Sequence, residues 1–246
     1  MEPLLALAGL GVALGAGLQS ATGFGFALLA APLMFAALEP REAIGLLLLL
    51  GMVIGVLTLA TEGRRPRPQV RVCVEILVWA VPAAPLGVAV LRALDAATLQ
   101  VAVSVGVLAT LAVRRLRSAP RGEVPRWAAP VAGFSAGALV TSTNTSGPPL
   151  LLYVLARGGE PEQVRDTVTV CQLGFSVIGA VALVATGTSG AVPRGWLVAL
   201  FVPVVVVAHV AGRPLFRRLA EGGGYEPVLT GILLAAVATG LAAALI

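Results

Sequence analysis

The sequence predicts an all-α polytopic membrane protein of two inverted repeats, each a broken or re-entrant helical hairpin followed by three transmembrane helices. Three observations carry this. Hydrophobic residues make up 58% of the 246-residue chain and charged residues 12%, against about 25% charge in a soluble domain. Several runs of about 20 residues carry no charge, the length needed to cross a hydrocarbon core of about 30 Å. The pattern also occurs twice. A long apolar stretch broken by small polar residues opens at Leu4 and again at Trp127, and each is followed by three more apolar spans. Glu39-Pro40 and Glu160-Pro161, 121 residues apart, mark the common register. Duplication with a polar break in each half is the sequence shape of a secondary transporter.

The first segment of each half, residues 3 to 38 and 127 to 156, is 36 and 30 residues long, roughly 54 and 45 Å as helix at about 1.5 Å per residue. Each is too long for one ordinary crossing and too short for two full ones. The remaining spans are expected at about 42 to 61, 72 to 91, 94 to 113, 164 to 187, 191 to 212 and 226 to 246. Residues 1–117 then form the first repeat, 118–126 an Arg- and Pro-rich cytoplasmic linker, and 127–246 the second repeat.

Arginine placement separates a single broken span from a hairpin. All 17 basic residues are arginine. Single crossings would divide them ten against seven, which specifies orientation poorly. Hairpins leave Arg41, Arg92 and Arg194 on one face and the other fourteen, including Arg64, Arg71, Arg157 and Arg165, on the opposite face. The positive-inside rule favours that split, with the richer face cytoplasmic and both termini outside. Each half then makes an odd number of net crossings, which inverts the second relative to the first. Met1-Glu2-Pro3 lacks the positive n-region of a secretory signal, so the first segment is expected to stay in the membrane.

The first break reads Gln19-Ser20-Ala21-Thr22-Gly23-Phe24-Gly25, and the second Thr141-Ser142-Thr143-Asn144-Thr145-Ser146-Gly147. Non-helical backbone at membrane depth is tolerated only where protein or a cavity satisfies its polar groups. Gly23 and Gly25 suit a sharp turn, and Thr22 offers a hydroxyl to cap the following helix. Pro148 and Pro149 suit the first turn of a new helix. Helix starts facing each other at the midplane, among neutral hydroxyl and amide donors, would hold a small oxyanion by oriented dipoles. No arginine is expected deep in a span. Gly, Ser and Thr also pack membrane helices, and Gly51/Gly55 and Gly133/Gly137 have ordinary small-xxx-small spacing. Six polar residues at Thr141 to Ser146, matched by a break in the other half, are harder to explain as packing.

Ionisable groups inside spans are functional suspects. Glu75 and His209 are therefore candidates to carry a coupling proton, although pairing of Glu75 with Arg71 and interfacial anchoring of both compete with that role. Gln100 and Gln172 could line a pathway or bridge helices. Cys73 and Cys171 fall in apolar spans and read as packing residues. No His, Cys or acidic cluster has metal-ligand spacing, and neither a cofactor nor a disulfide is expected. The net charge of +5 sits in short loops and marks topology rather than a nucleic-acid surface. The arginine bias and the abundance of Ala, Gly, Val and Leu resemble a bacterium with a G- and C-rich genome, so a multi-pass protein of the bacterial cytoplasmic (inner) membrane, surrounded by lipid, is expected.

At the two breaks the chain resembles the TauE/SafE sulfite exporter family of membrane permeases, also called TSUP. The resemblance rests on Gln19 to Ala27 with Pro32 following, and on Gly133 to Pro149, and it extends over the four-plus-four layout of the chain. It implies transport of sulfite, sulfonates or related organosulfur anions, often as export, and a transporter rather than an enzyme; a coupling proton or sodium ion is expected separately as a partner. An anion channel would use similar dipoles and hydroxyls. A membrane phosphatase of lipid pyrophosphates would need acidic and basic residues at the site, and both breaks lack them.

Overall fold

A computed structural model describes residues 2–61, 63–115 and 124–221. These residues form α1 (Glu2–Thr22), α2 (Phe26–Ala37), α3 (Pro40–Ala60), α4 (Val70–Ala93), α5 (Ala96–Arg115), α6 (Ala128–Ser142), α7 (Gly147–Arg157), α8 (Pro161–Ala185) and α9 (Gly195–Glu221). The last expected span, 226 to 246, and most of the expected linker lie outside the described residues.

Both long apolar segments break where their polar residues cluster. The first divides after Thr22, where Gly23 and Gly25 take φ of 82° and 106°, a region costly to side chains with a Cβ. The second divides after Ser142, where Asn144 takes φ 56°; Asn is among the residues that visit this region most readily. The products are unequal. α1, at 21 residues, is about 31 Å long and can span a bilayer, whereas α2, α6 and α7 are about 18, 22 and 16 Å long and cannot. Among the described residues five helices are long and apolar enough to cross a membrane: Pro3–Ser20, Pro40–Ala60, Val70–Ala93, Glu162–Ala185 and Gly195–Gly212.

Two expectations about boundaries give way. Thr141 and Ser142 remain in the last turn of α6, because their hydroxyls donate to carbonyls of that helix, which lets Ser and Thr stay helical. α9 runs on to Glu221 through Pro203 and Pro214, past the expected end at 212. Proline removes one backbone hydrogen bond and need not end a helix whose neighbours support it.

Among the described residues α4 and α6 make the most extensive contact, and its cause is local. A Cβ on Gly133 or Gly137 would sit 2.4 Å from the Ile76 or Ala80 carbonyl oxygen, so only glycine allows this approach. The small-xxx-small reading holds here. α8 packs against α3, α4, α6 and α7, while α9 lies against α1 and α3.

Ion pairs and polar contacts define the two ends of the bundle. At one end Glu42, at the start of α3, accepts from Arg194 Nε at 2.8 Å and from its terminal nitrogen at 2.7 Å. Arg92, near the end of α4, donates to Thr188 Oγ1 at 2.9 Å, and Glu39, Arg41, Arg92 and Asp95 line one pocket. Asp95 precedes α5, and the Thr98 hydroxyl holds its carboxyl below the usual carboxylate range.

At the other end Asp166, whose side chain is 1% exposed, receives Arg64 in a bidentate pair at 2.7 and 2.8 Å and the Arg67 amide at 2.7 Å. Glu75 receives Arg71 at 2.9 Å, Tyr153 Oη at 2.7 Å and Arg157 at 2.9 Å. Arg41, Arg92 and Arg194 thus share one end, and Arg64, Arg71 and Arg157 the other. Val124, Trp127, Tyr153 and Ala156 line a single pocket, so α6 starts where α7 finishes.

Candidate functional site

Both breaks rest on α8. At the first, Gly23 N donates to Gln19 O at 2.7 Å and closes the end of α1. The chain then reverses, and the first amide of α2, Phe26 N, donates to Gln19 Oε1 at 3.3 Å. The amide of Gln19 therefore satisfies a helix-start N–H. The expected hydroxyl cap is not what caps α2: its N-cap is Gly25, with no side-chain cap. Thr22 ends α1, and its side chain lies outside the described residues.

α8 completes this break with two residues that the sequence reading passed over. Thr169 Oγ1, 1% exposed, donates to Gly23 O at 3.2 Å and to Arg165 O at 2.9 Å. The Arg165 guanidinium donates to Ser20 O at 2.6 Å, and its Cγ would lie 2.6 Å from a Cβ on Gly23. The expectation of a site without a fixed cation therefore fails at the first break. Arg165 lies near the start of α8, and its long side chain carries the charge to the turn, as amphipathic side chains do. Only the tertiary placement of the turn beside α8 makes this visible.

At the second break the hydroxyls are largely engaged. Thr141 Oγ1 donates to Ala84 O on α4 at 2.8 Å, Ser142 Oγ to Ala138 O at 2.9 Å, and Thr143 Oγ1 contacts Leu139 O at 3.2 Å and Thr145 Oγ1 at 2.6 Å. Ser146, the N-cap of α7, makes no cap bond of its own; its hydroxyl donates to Gln172 Oε1 on α8 at 3.0 Å. Gly147 opens the helix, and the prolines at 148 and 149 occupy its next two positions, where each removes an N–H that a bare helix start would present. Asn144 differs from its neighbours. It is 8% exposed, stands in left-handed conformation, and makes no side-chain hydrogen bond to any described residue.

Thr169 and Gln172 are three residues apart, about 4.5 Å along the axis of α8, so the two turns meet this helix within one turn of each other. The first lies toward the Arg-rich end of the bundle and the second nearer the middle of α8. The other candidates do not join this site. Glu75 is held by three donors in the cluster that ties α4 to α7. His209 is 1% exposed and lies between the ends of α1 and α3. The Gln100 side chain lies outside the described residues. Among the described residues no group of three or more His, Cys, Asp or Glu could hold a metal ion. Cys73 and Cys171 are free and buried.

The family model described as "Sulfite exporter TauE/SafE" matches residues 7–241. No curated protein and no solved structure matches the chain.

Proposed function

Since the chain belongs to the sulfite exporter TauE/SafE family of membrane transporters, we propose that it is a secondary transporter of a small oxyanion, of the sulfite or sulfonate class, bound between the two turns on α8. The observation that carries this reading is the Asn144 amide. The amide makes no side-chain hydrogen bond to a described residue and is not sealed from the surface, so a ligand in the turn can reach it. Arg165 supports the same reading from the first turn, because a guanidinium offers a carboxylate, sulfonate or sulfite group donors in a rigid fork.

The proposed inverted arrangement of the two halves draws support from the bundle ends. α1 starts and α2 finishes toward the Arg-poor end, whereas α6 starts and α7 finishes toward the Arg-rich end. Turns entering from opposite sides and meeting at one helix suit alternating access around a shared site.

A thermal-shift screen of purified protein with sulfite, sulfate, thiosulfate, taurine, sulfoacetate and short carboxylates tests the proposal. A ligand of the native state raises the melting temperature by mass action. Stabilisation by sulfite or a sulfonate that is lost in Asn144→Ala supports the reading; equal, small shifts with all anions contradict it.

A further inference from the structure

A pocket of about 420 Å³ lies between the start of α6 and the end of α7, at the Arg-rich end of the bundle. That volume is within the range of sites that hold small molecules. Val131 and Ala132 of α6 face Pro149 and Leu152 of α7 across it, and Trp127 and Tyr153 supply its aromatic part. Two hydroxyls reach the lining, and both are engaged. Ser135 Oγ donates to Val131 O at 2.6 Å, and Tyr153 Oη donates to Glu75 at 2.7 Å. A cavity lined in this way stays dry and takes apolar ligands.

The pocket faces outward. α6 turns Gly133 and Gly137 to α4, whereas Val131 is 57% exposed and Leu152 39%. In a bilayer an exposed apolar side of this kind meets acyl chains, which are as apolar as leucine. Trp127, 66% exposed, sets the depth, because tryptophan favours the level of the lipid headgroups.

Guanidinium groups stand at that same level. Arg126 is exposed and lies between Pro125 and Trp127, which both line the pocket. Arg157 follows Ala156, another lining residue, and its guanidinium carbon is 5.6 Å from the centre of the Tyr153 ring. Arg71 joins Arg157 at Glu75, which accepts from each at 2.9 Å. This shared carboxylate offsets one of the three charges. The Arg71 side chain is 86% exposed, so its pair with Glu75 is weak in water and can be exchanged for another anion. Arginine is also the side chain whose fork of donors matches a phosphate.

We infer that this pocket is a binding site for an anionic phospholipid of the leaflet at the Arg-rich end. One acyl chain fills the space between α6 and α7, and the phosphodiester sits among Arg126, Arg157 and Arg71. Apolar pocket, interfacial tryptophan and basic rim then match the three parts of one molecule. Basic pockets between membrane helices on the cytoplasmic side recognise lipid headgroups in this way. The lipid would touch both arms of the second hairpin, the element that carries Asn144, but its binding does not depend on which anion is transported.

The test uses the full-length protein in mild detergent, titrated with phosphatidylglycerol or phosphatidylcholine of identical acyl chains and read by native mass spectrometry. Phosphatidylglycerol should bind at least about fivefold more tightly, the contribution of one arginine near an anionic headgroup. Arg126→Gln combined with Arg157→Gln should remove that preference. Arg65→Gln, which changes an exposed arginine outside the lining, should leave it intact.

Val131→Trp and Leu152→Trp fill the pocket from opposite walls and keep every arginine. Each should release both lipids while the protein still melts cooperatively. A phosphatidylglycerol preference that survives both variants comes from surface charge in general and overturns the site, as does equal binding of the two lipids by the parent protein. Displacement of the lipid by excess inorganic phosphate would assign the rim to a soluble anion instead. Loss of a dimer, rather than of lipid, in the two tryptophan variants would give the face to a second copy of the chain and likewise overturn the proposal.

Discussion

Thr169 and Gln172 share one face of α8 and hold different turns: Thr169 donates to Gly23 O at 3.2 Å, and Gln172 accepts from Ser146 Oγ at 3.0 Å. One helix therefore sets the spacing of both. If α8 tilts or shifts along its axis, the two turns must move relative to each other, which is what a carrier needs at a shared site.

The guanidinium at the first turn should contribute to affinity through charge and shape together. Arg165→Gln is expected to weaken binding of the stabilising anion by about 1.5–3 kcal/mol, the range for a hydrogen bond to a charged group. Arg165→Lys should recover only part of it, because an ammonium lacks the planar fork. Titration calorimetry on detergent-purified variants measures both.

Gly25 tests the turn itself. At φ 106°, with Leu18 Cδ2 2.7 Å from where a Cβ would lie, Gly25→Ala should destabilise the protein by about 1–3 kcal/mol through backbone strain. A lowered melting temperature in detergent, without any added ligand, is the expected result. Gly25→Leu should add steric exclusion of the ligand to the same strain.

The tie between Arg64 and Asp166 should dominate stability at the Arg-rich end. Asp166→Asn keeps the shape but leaves Arg64 with the exposed Glu162 carboxylate at 3.5 Å in place of the bidentate pair, and breaking a buried pair costs about 3–5 kcal/mol. Arg64 is 28% exposed, so water offsets part of that cost and the lower figure is expected. The melting temperature of the variant, compared with Arg71→Gln in an exposed pair, checks the ranking.

Orientation is tested by single-cysteine labelling on a background lacking Cys73 and Cys171. If the Arg-rich end is the cytoplasmic one, as the positive-inside rule expects, an impermeant reagent added to intact cells should modify Asp95→Cys and Ser189→Cys and spare Pro66→Cys. Labelling of position 66 from outside, with positions 95 and 189 protected, would invert the assignment.

Much of this architecture was legible because membrane helices announce themselves by uninterrupted apolar length, and the turns by glycine, asparagine and hydroxyl residues where that length is broken. The placement of Arg92 and Arg194 at one end and Arg64, Arg71 and Arg157 at the other also follows from the loops alone. What depends on tertiary approach was not legible. Thr141 and Thr143 look like ligand donors in the sequence, yet carbonyls of α4 and α6 engage their hydroxyls. Arg165 looks like a loop-flanking topology signal, yet its side chain folds back to the Ser20 carbonyl. Thr169 carries no sequence signal, since a threonine in an apolar helix is ordinary. His209 drew attention as the lone histidine, but its two hydroxyl partners come from residues 189 and 148 positions away.

The most direct test of the central claim is the affinity for sulfite of the parent protein, Asn144→Ala and Ser135→Ala, measured by titration calorimetry on variants that melt as cooperatively as the parent. Ser135 lies on α6, where its hydroxyl donates to Val131 O within the same helix, and serves as the control. The account predicts that Asn144→Ala weakens binding by about 1–3 kcal/mol, roughly fivefold to 150-fold, while Ser135→Ala leaves it within about 0.5 kcal/mol. Equal affinity in all three proteins would contradict it and place the anion away from the turns.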